Sequence, residues 1–108
     1  MPIATEKADP CWFAFLLTIK ENAPFTRFDI VNYLEEAKIQ TRSYFSGNIL
    51  AHPGYFHMAQ EHGDMNMKFP NAQLVTTNSF FLGTYKGLTD EKLGYIEKTV
   101  NKFFESVK

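Results

Sequence analysis

The sequence predicts a small two-layer α/β (α+β) sandwich, in which a three-stranded sheet carries its helices mainly on one face. Three observations lead there. Apolar runs of strand type and amphipathic runs of helical period succeed each other as strand, helix, strand, weak helices, strand, helix. Hydrophobic residues make up 44% of the chain, and 11 Phe, 5 Tyr and 1 Trp supply large units of buried area. A chain of 108 residues buries about two thirds of its unfolded surface, which suffices for one core and not for two. Residues 11–108 therefore read as a single small domain. Residues 1–10, polar with two prolines and no period, read as an entering arm or linker.

Trp12 to Lys20 has Phe13, Phe15, Leu17 and Ile19 on one face and Trp12, Ala14 and Leu16 on the other. Both faces are apolar, the pattern of a central strand. Thr26 then fits a helix N-cap, its hydroxyl accepting an orphan amide near Asp29, with Phe25 and Ile30 at the positions of a hydrophobic staple. Ile30, Val31, Leu34 and Ala37 form the apolar stripe of that helix, and Arg27 falls at its exposed start. Ile39 to Phe45 alternates again, placing Ile39, Thr41, Ser43 and Phe45 on one face and Gln40, Arg42 and Tyr44 on the other, up to a Ser46-Gly47-Asn48 turn. In the middle, Pro53 opens a short helix through Gln60, Gly63-Asp64 breaks it, and Pro70 opens another through Thr77. Ser79 to Tyr85 is the third strand. Thr89 caps the last helix, whose apolar line is Leu93, Ile96, Val100, Phe103 or Phe104, and Val107.

Charge excludes two classes of partner. With 11 Lys+Arg against 12 Asp+Glu, there is no electrostatic case for nucleic acid or an anionic membrane. The longest mostly apolar run, Cys11 to Ile19, is half a membrane span. A single cysteine and no basic-plus-apolar leader fit a cytoplasmic location.

Catalytic groups are sparse. His52, His57 and His62 lie near Glu61 and Asp64, but their spacing matches no metal-binding pattern, and glycines interrupt the helix that would position them. Exposed or capping histidines fit better. Cys11, just before an apolar strand, reads as an inert small hydrophobe rather than a nucleophile. The segment Thr41 to Asn48 is more suggestive: an arginine leading into a Ser-Gly-Asn turn offers a guanidinium fork, side-chain hydrogen-bonders and closely approachable backbone, suited to phosphate or sugar hydroxyls. The same residues equally describe a surface arginine before a hairpin-like turn.

Taken in order, Asp9-Pro10-Cys11-Trp12-Phe13, Ala23-Pro24-Phe25-Thr26-Arg27, Tyr33-Leu34-Glu35-Glu36, Ile39-Gln40-Thr41-Arg42 with Phe45 and Gly47-Asn48, Pro53 with Tyr55, Pro70-Asn71, and Gly83, Tyr85 and Gly87 to Glu91 resemble the C-terminal small domain of DegT-type sugar aminotransferases and dehydratases. These enzymes have the aspartate-aminotransferase fold and use pyridoxal phosphate. The likeness is greatest to the branch that removes the 3-hydroxyl of CDP- or GDP-4-keto-6-deoxyhexoses. That branch has Arg-Gln-Pro where this chain has Ala51-His52-Pro53, a proline in place of Lys86, and Asn-Thr-Asp where this chain has Asn71-Ala72-Gln73.

The resemblance implies a role as the substrate-closing domain of a pyridoxal- or pyridoxamine-phosphate-dependent nucleotide-sugar 3-dehydratase in deoxysugar or lipopolysaccharide O-antigen synthesis. The substrate-binding residues would be Arg42, Phe45, Ser46, Gly47 and Asn48. No catalytic, cofactor-binding or metal-binding residue is expected in this chain. The cofactor, and in one subclass an iron–sulfur cluster, would belong to an N-terminal large domain, the expected partner, within a homo-oligomer. Trp12, Phe13, Tyr44 and Tyr55 are candidates for the patch that such a partner covers. The same domain of a nucleotide-sugar aminotransferase, or a stand-alone non-enzymatic binding module, remain as alternatives.

Overall fold

The computed structural model describes residues 3–108, apart from the side chains at positions 65 and 66. The first two residues of the expected arm lie outside the described residues, and its remainder runs without helix or strand to β1 (Ala14–Thr18). With β2 (Thr41–Ser43) and β3 (Ser79–Gly83), β1 forms one antiparallel sheet in the order β1-β3-β2. The predicted order of elements and the two-layer α+β class both hold.

The centre of the sheet is β3, which corrects the reading of the first strand as central. Paired along both edges, β3 buries Ser79, Phe80, Phe81 and Leu82 in succession. β1 is apolar on both sides for a different reason. Phe15 and Leu17 pair with Leu82 and Phe80 on the helix side, while Leu16 pairs with Phe81 on the other.

α1 (Arg27–Glu36) starts at the predicted cap. The Thr26 hydroxyl accepts from the Asp29 amide, and the Asp29 carboxylate accepts from the Thr26 backbone at 2.8 Å, so each satisfies a donor of the other's turn. α5 (Asp90–Ser106) is capped by Thr89. Of the two candidate phenylalanines, Phe103 is buried and Phe104 exposed. Ile30 and Leu34 from α1, Phe103 from α5, Ile39, and Phe80 and Leu82 from β3 make the core, all on one face of the sheet.

Between β2 and β3 the chain makes two 3-10 turns, Ile49–Ala51 and Pro53–Tyr55, followed by α2 (Phe56–His62), α3 (Met65–Lys68) and α4 (Pro70–Asn78). The helix expected from Pro53 is thus split, and Gly63, at φ 72°, ends α2. Ala59 is the one buried residue of α2. Among the described residues no helix is long and apolar enough to cross a membrane.

Candidate functional site

The second strand is shorter than its alternation suggests, and this shapes the site. Thr41 and Ser43 pair with Leu82 and Phe80 on the helix side, and Arg42 pairs with Phe81 on the open side. After Ser43 the backbone leaves the sheet. Phe45 takes φ 44° and Gly47 φ 57°, and the Gly47 amide donates to the Tyr44 carbonyl at 3.3 Å.

That left-handed step carries Phe45 off the face on which alternation places it. Its ring lies 6.1 Å from Phe81 and 6.4 Å from Phe13, nearly parallel to the latter. Phe13 is displaced in the same way. Alternation assigns it to the face of Phe15 and Leu17, but it precedes β1 in a bend, and its ring packs 5.8 Å from Phe81 on the open side. Phe13, Arg42, Ser43, Phe45 and Phe81 line a shallow cleft of about 440 Å³.

The turn itself is docked on α4. Asn48 is buried; its amide nitrogen donates to Gln73 Oε1 at 3.2 Å, and its Oδ1 accepts from the Leu50 backbone. The Asn48 backbone donates to Thr76 Oγ1 at 2.6 Å. A side chain at Gly47 would run into the Thr76 hydroxyl and backbone. The Ser46 carbonyl meets His52 Nε2 at 2.6 Å. Of the five expected substrate-binding residues, Arg42, Phe45 and Ser46 are thus exposed beside the cleft or its turn, whereas Gly47 and Asn48 are engaged in holding the turn.

Arg27 departs from its reading as an idle, exposed helix start. It is half-buried, and its Nε donates to the Thr77 carbonyl at 3.2 Å and its Nη1 to Ser43 Oγ at 3.3 Å, tying α1 to the end of β2 and to α4. Gln73, Thr76, His52 and Arg27 support the turn and β2, a role that the sequence reading gave to none of them. Only Pro70, which begins α4, hinted at their platform. At the other end of β2, Glu35 Oε1 accepts from the Thr41 amide at 2.5 Å and the Thr41 hydroxyl at 2.7 Å. These bonds favour the ionised carboxylate and hold Glu35 below its ordinary pKa.

Among the described residues no three His, Cys, Asp or Glu side chains gather at a distance suited to a metal ion. His62 sits edge-on to Phe69, and His52 serves the turn. Cys11, read as a small hydrophobe, is exposed, because it lies in the irregular stretch before β1, outside the layers that would cover it.

The model of the DegT/DnrJ/EryC1/StrS aminotransferase family matches residues 1–101. The chain belongs to this family. Within it, the chain is 38% identical over 103 residues to the dTDP-4-dehydro-2,6-dideoxy-D-glucose 3-dehydratase of Saccharopolyspora spinosa, a match covering 95% of the chain and 22% of that protein. To the lipopolysaccharide biosynthesis protein RfbH of Salmonella typhimurium it is 36% identical over 104 residues, 96% of the chain and 23% of the relative. A 48-residue stretch is 42% identical to the GDP-4-keto-6-deoxy-D-mannose 3-dehydratase of Yersinia pseudotuberculosis, covering 44% of the chain and 12% of that enzyme. The chain spans about a fifth of the length of the two relatives it matches end to end. It corresponds to their C-terminal portion.

Proposed function

We propose that the chain is the C-terminal, substrate-closing domain of a nucleotide-sugar 3-dehydratase acting in deoxysugar or lipopolysaccharide O-antigen synthesis. The observation that carries this reading is the match over 95% of the chain to a 3-dehydratase of which it spans only 22%. It favours dehydration over the amino transfer after which the family is called. It also disfavours a self-sufficient binding module.

The relatives' names join the sugar to dTDP in one case and GDP in another, so the chemistry they share is a diphosphate. Arg42 suits it. The guanidinium is exposed on the open face, with no hydrogen-bond or ion-pair partner among the described residues, and its planar fork matches phosphate oxygens. Ser46, at the exposed turn beyond it, adds a hydroxyl, while Gly47 and Asn48 keep that turn seated on α4.

We assign no lysine of this chain to a pyridoxal cofactor. A Schiff-base lysine needs a desolvated, enclosed setting, and all nine lysines are exposed. One cysteine likewise falls short of the four ligands an iron–sulfur cluster requires. Both groups are assigned here to the large domain, and the chain by itself is expected to be inactive.

A domain exchange tests the reading. The C-terminal portion of the Saccharopolyspora spinosa dehydratase is replaced by this chain, and loss of the substrate's 3-hydroxyl is followed. Turnover is expected. A folded, cofactor-loaded chimera that leaves the 3-hydroxyl in place would overturn the proposal.

A further inference from the structure

The open face of the sheet carries more than an arginine. Phe13 and Phe45 keep 68% and 70% of their surface in solvent, lie nearly parallel with an interplanar angle of 15°, and are both backed by the buried Phe81. An exposed ring contributes little burial, and Phe45 holds its position in a left-handed backbone conformation that is sterically costly for a bulky side chain. The turn is kept in that conformation by the hydrogen bonds of Asn48 to α4 and by Gly47 packed against Thr76. Strained backbone that presents a group to solvent, sustained by its surroundings, is characteristic of ligand-contacting positions.

We propose that Phe45 and Phe13 form a stacking platform for the base of a nucleoside diphosphate, whose phosphates reach Arg42 in the same cleft. The inference rests on the nucleotide-sugar reading above and assigns the nucleotide half of the substrate to this domain. Two features fit it. Arg42 follows the register of Phe81, so cation and rings share one face and line one cleft. The platform is made of aromatic rings, and stacking on rings accepts purines and pyrimidines alike, since every base has a π-face. The site is therefore specific for nucleoside diphosphates as a class and tolerant of the base.

The 108-residue chain is titrated by calorimetry with GDP, dTDP, guanosine and inorganic pyrophosphate, its fold being checked by circular dichroism. GDP and dTDP are both expected to bind, and pyrophosphate about tenfold or more weakly. Phe45→Asn, which removes the ring but tolerates the left-handed backbone, should weaken both nucleotides about tenfold, and Phe45→Trp should retain them. Arg42→Gln should weaken the diphosphates and leave guanosine unchanged. Pyrophosphate binding as tightly as GDP, equal affinities in the parent and Phe45→Asn, or a folded chain that takes up neither nucleotide would each overturn the platform. The domain exchange separates this from the wider reading. An active chimera whose KM for the nucleotide-sugar is unmoved by Phe45→Asn removes the platform alone. An inactive chimera, with GDP still bound by the chain, removes the dehydratase reading alone.

Discussion

Arg27 and Arg42 carry the same guanidinium, but only Arg27 has its donors engaged, on the Thr77 carbonyl and the Ser43 hydroxyl. Their replacements should therefore separate. In the domain-exchange chimera, Arg42→Ala is expected to weaken nucleotide-sugar binding about ten- to a hundredfold, the worth of a charge-assisted hydrogen bond of roughly 1.5–3 kcal/mol, with the melting temperature unchanged. Lys at this position should restore it only partly, because a point charge does not reproduce the fork. Arg27→Ala should instead lower the melting temperature, since it releases the end of β2 from α1 and α4, and Lys102→Ala on the exposed side of α5 should do neither. Equal binding by Arg42→Ala and its parent would mean that the ligand lies on another surface. Gly47 is as constrained as Arg42 is free. Its φ of 57° and its closeness to Thr76 predict that Gly47→Ala costs about 1–3 kcal/mol in denaturant unfolding, and an unchanged midpoint would show that the turn is not seated as described.

The elements around β2 are joined by side chains that bridge backbone ends, and two of these joints respond to pH. Hydrogen bonds from the Thr26 hydroxyl and amide hold Asp29 below its ordinary pKa, and those from Thr41 do the same to Glu35. The folded values lie below the unfolded ones. Their contribution to stability is complete above the ordinary carboxylate range, near pH 4, and disappears as pH falls through the lower folded values. Glu35→Gln should accordingly melt at a lower temperature than the parent at pH 7, and the gap should close on acidification below about pH 4. A gap independent of pH would show that the carboxylate charge plays no part in joining α1 to β2. At this scale most of the fold was readable. Thr26 and Thr89 announced their helices because a cap is a local event within four residues, and the helical period supplied the apolar lines of α1 and α5. The strand ends were not readable, because Ile39–Gln40 and Tyr44–Phe45 continue an alternation that the turn chemistry interrupts.

Taken whole, the molecule is open. Its radius of gyration is 16.4 Å, against about 13 Å for a compact chain of this length, and it measures 50 × 39 × 24 Å. Beyond the Phe13 and Phe45 platform, Trp12 and Tyr44 are exposed, and the excursion between β2 and β3 exposes Tyr55, Phe56 and Met58. Exposed apolar surface on this scale marks an interface. The chain by itself should self-associate and enhance the fluorescence of a hydrophobic dye, and fusion to the large domain should suppress both. A monomer at high concentration that leaves the dye dark would count against a covered face. Pyridoxal phosphate added to the chain should form no stoichiometric, borohydride-fixable adduct at a specific lysine, because every lysine is exposed. Mass spectrometry showing a single modified lysine would reverse that conclusion.

What the sequence determined by itself was the order and type of the elements, their caps, the helix-facing core and the family's ordered motifs, all of which depend on residues close together in the chain. The tertiary structure alone decided which strand is central, since Phe15 and Leu82 can pair only after the intervening residues have folded. It alone turned Phe13 and Phe45 onto the open face, where a bend and a left-handed residue outweigh strand alternation. And it separated the two arginines, because the partners of Arg27 at Ser43 and Thr77 lie 16 and 50 residues away, beyond the reach of any local pattern.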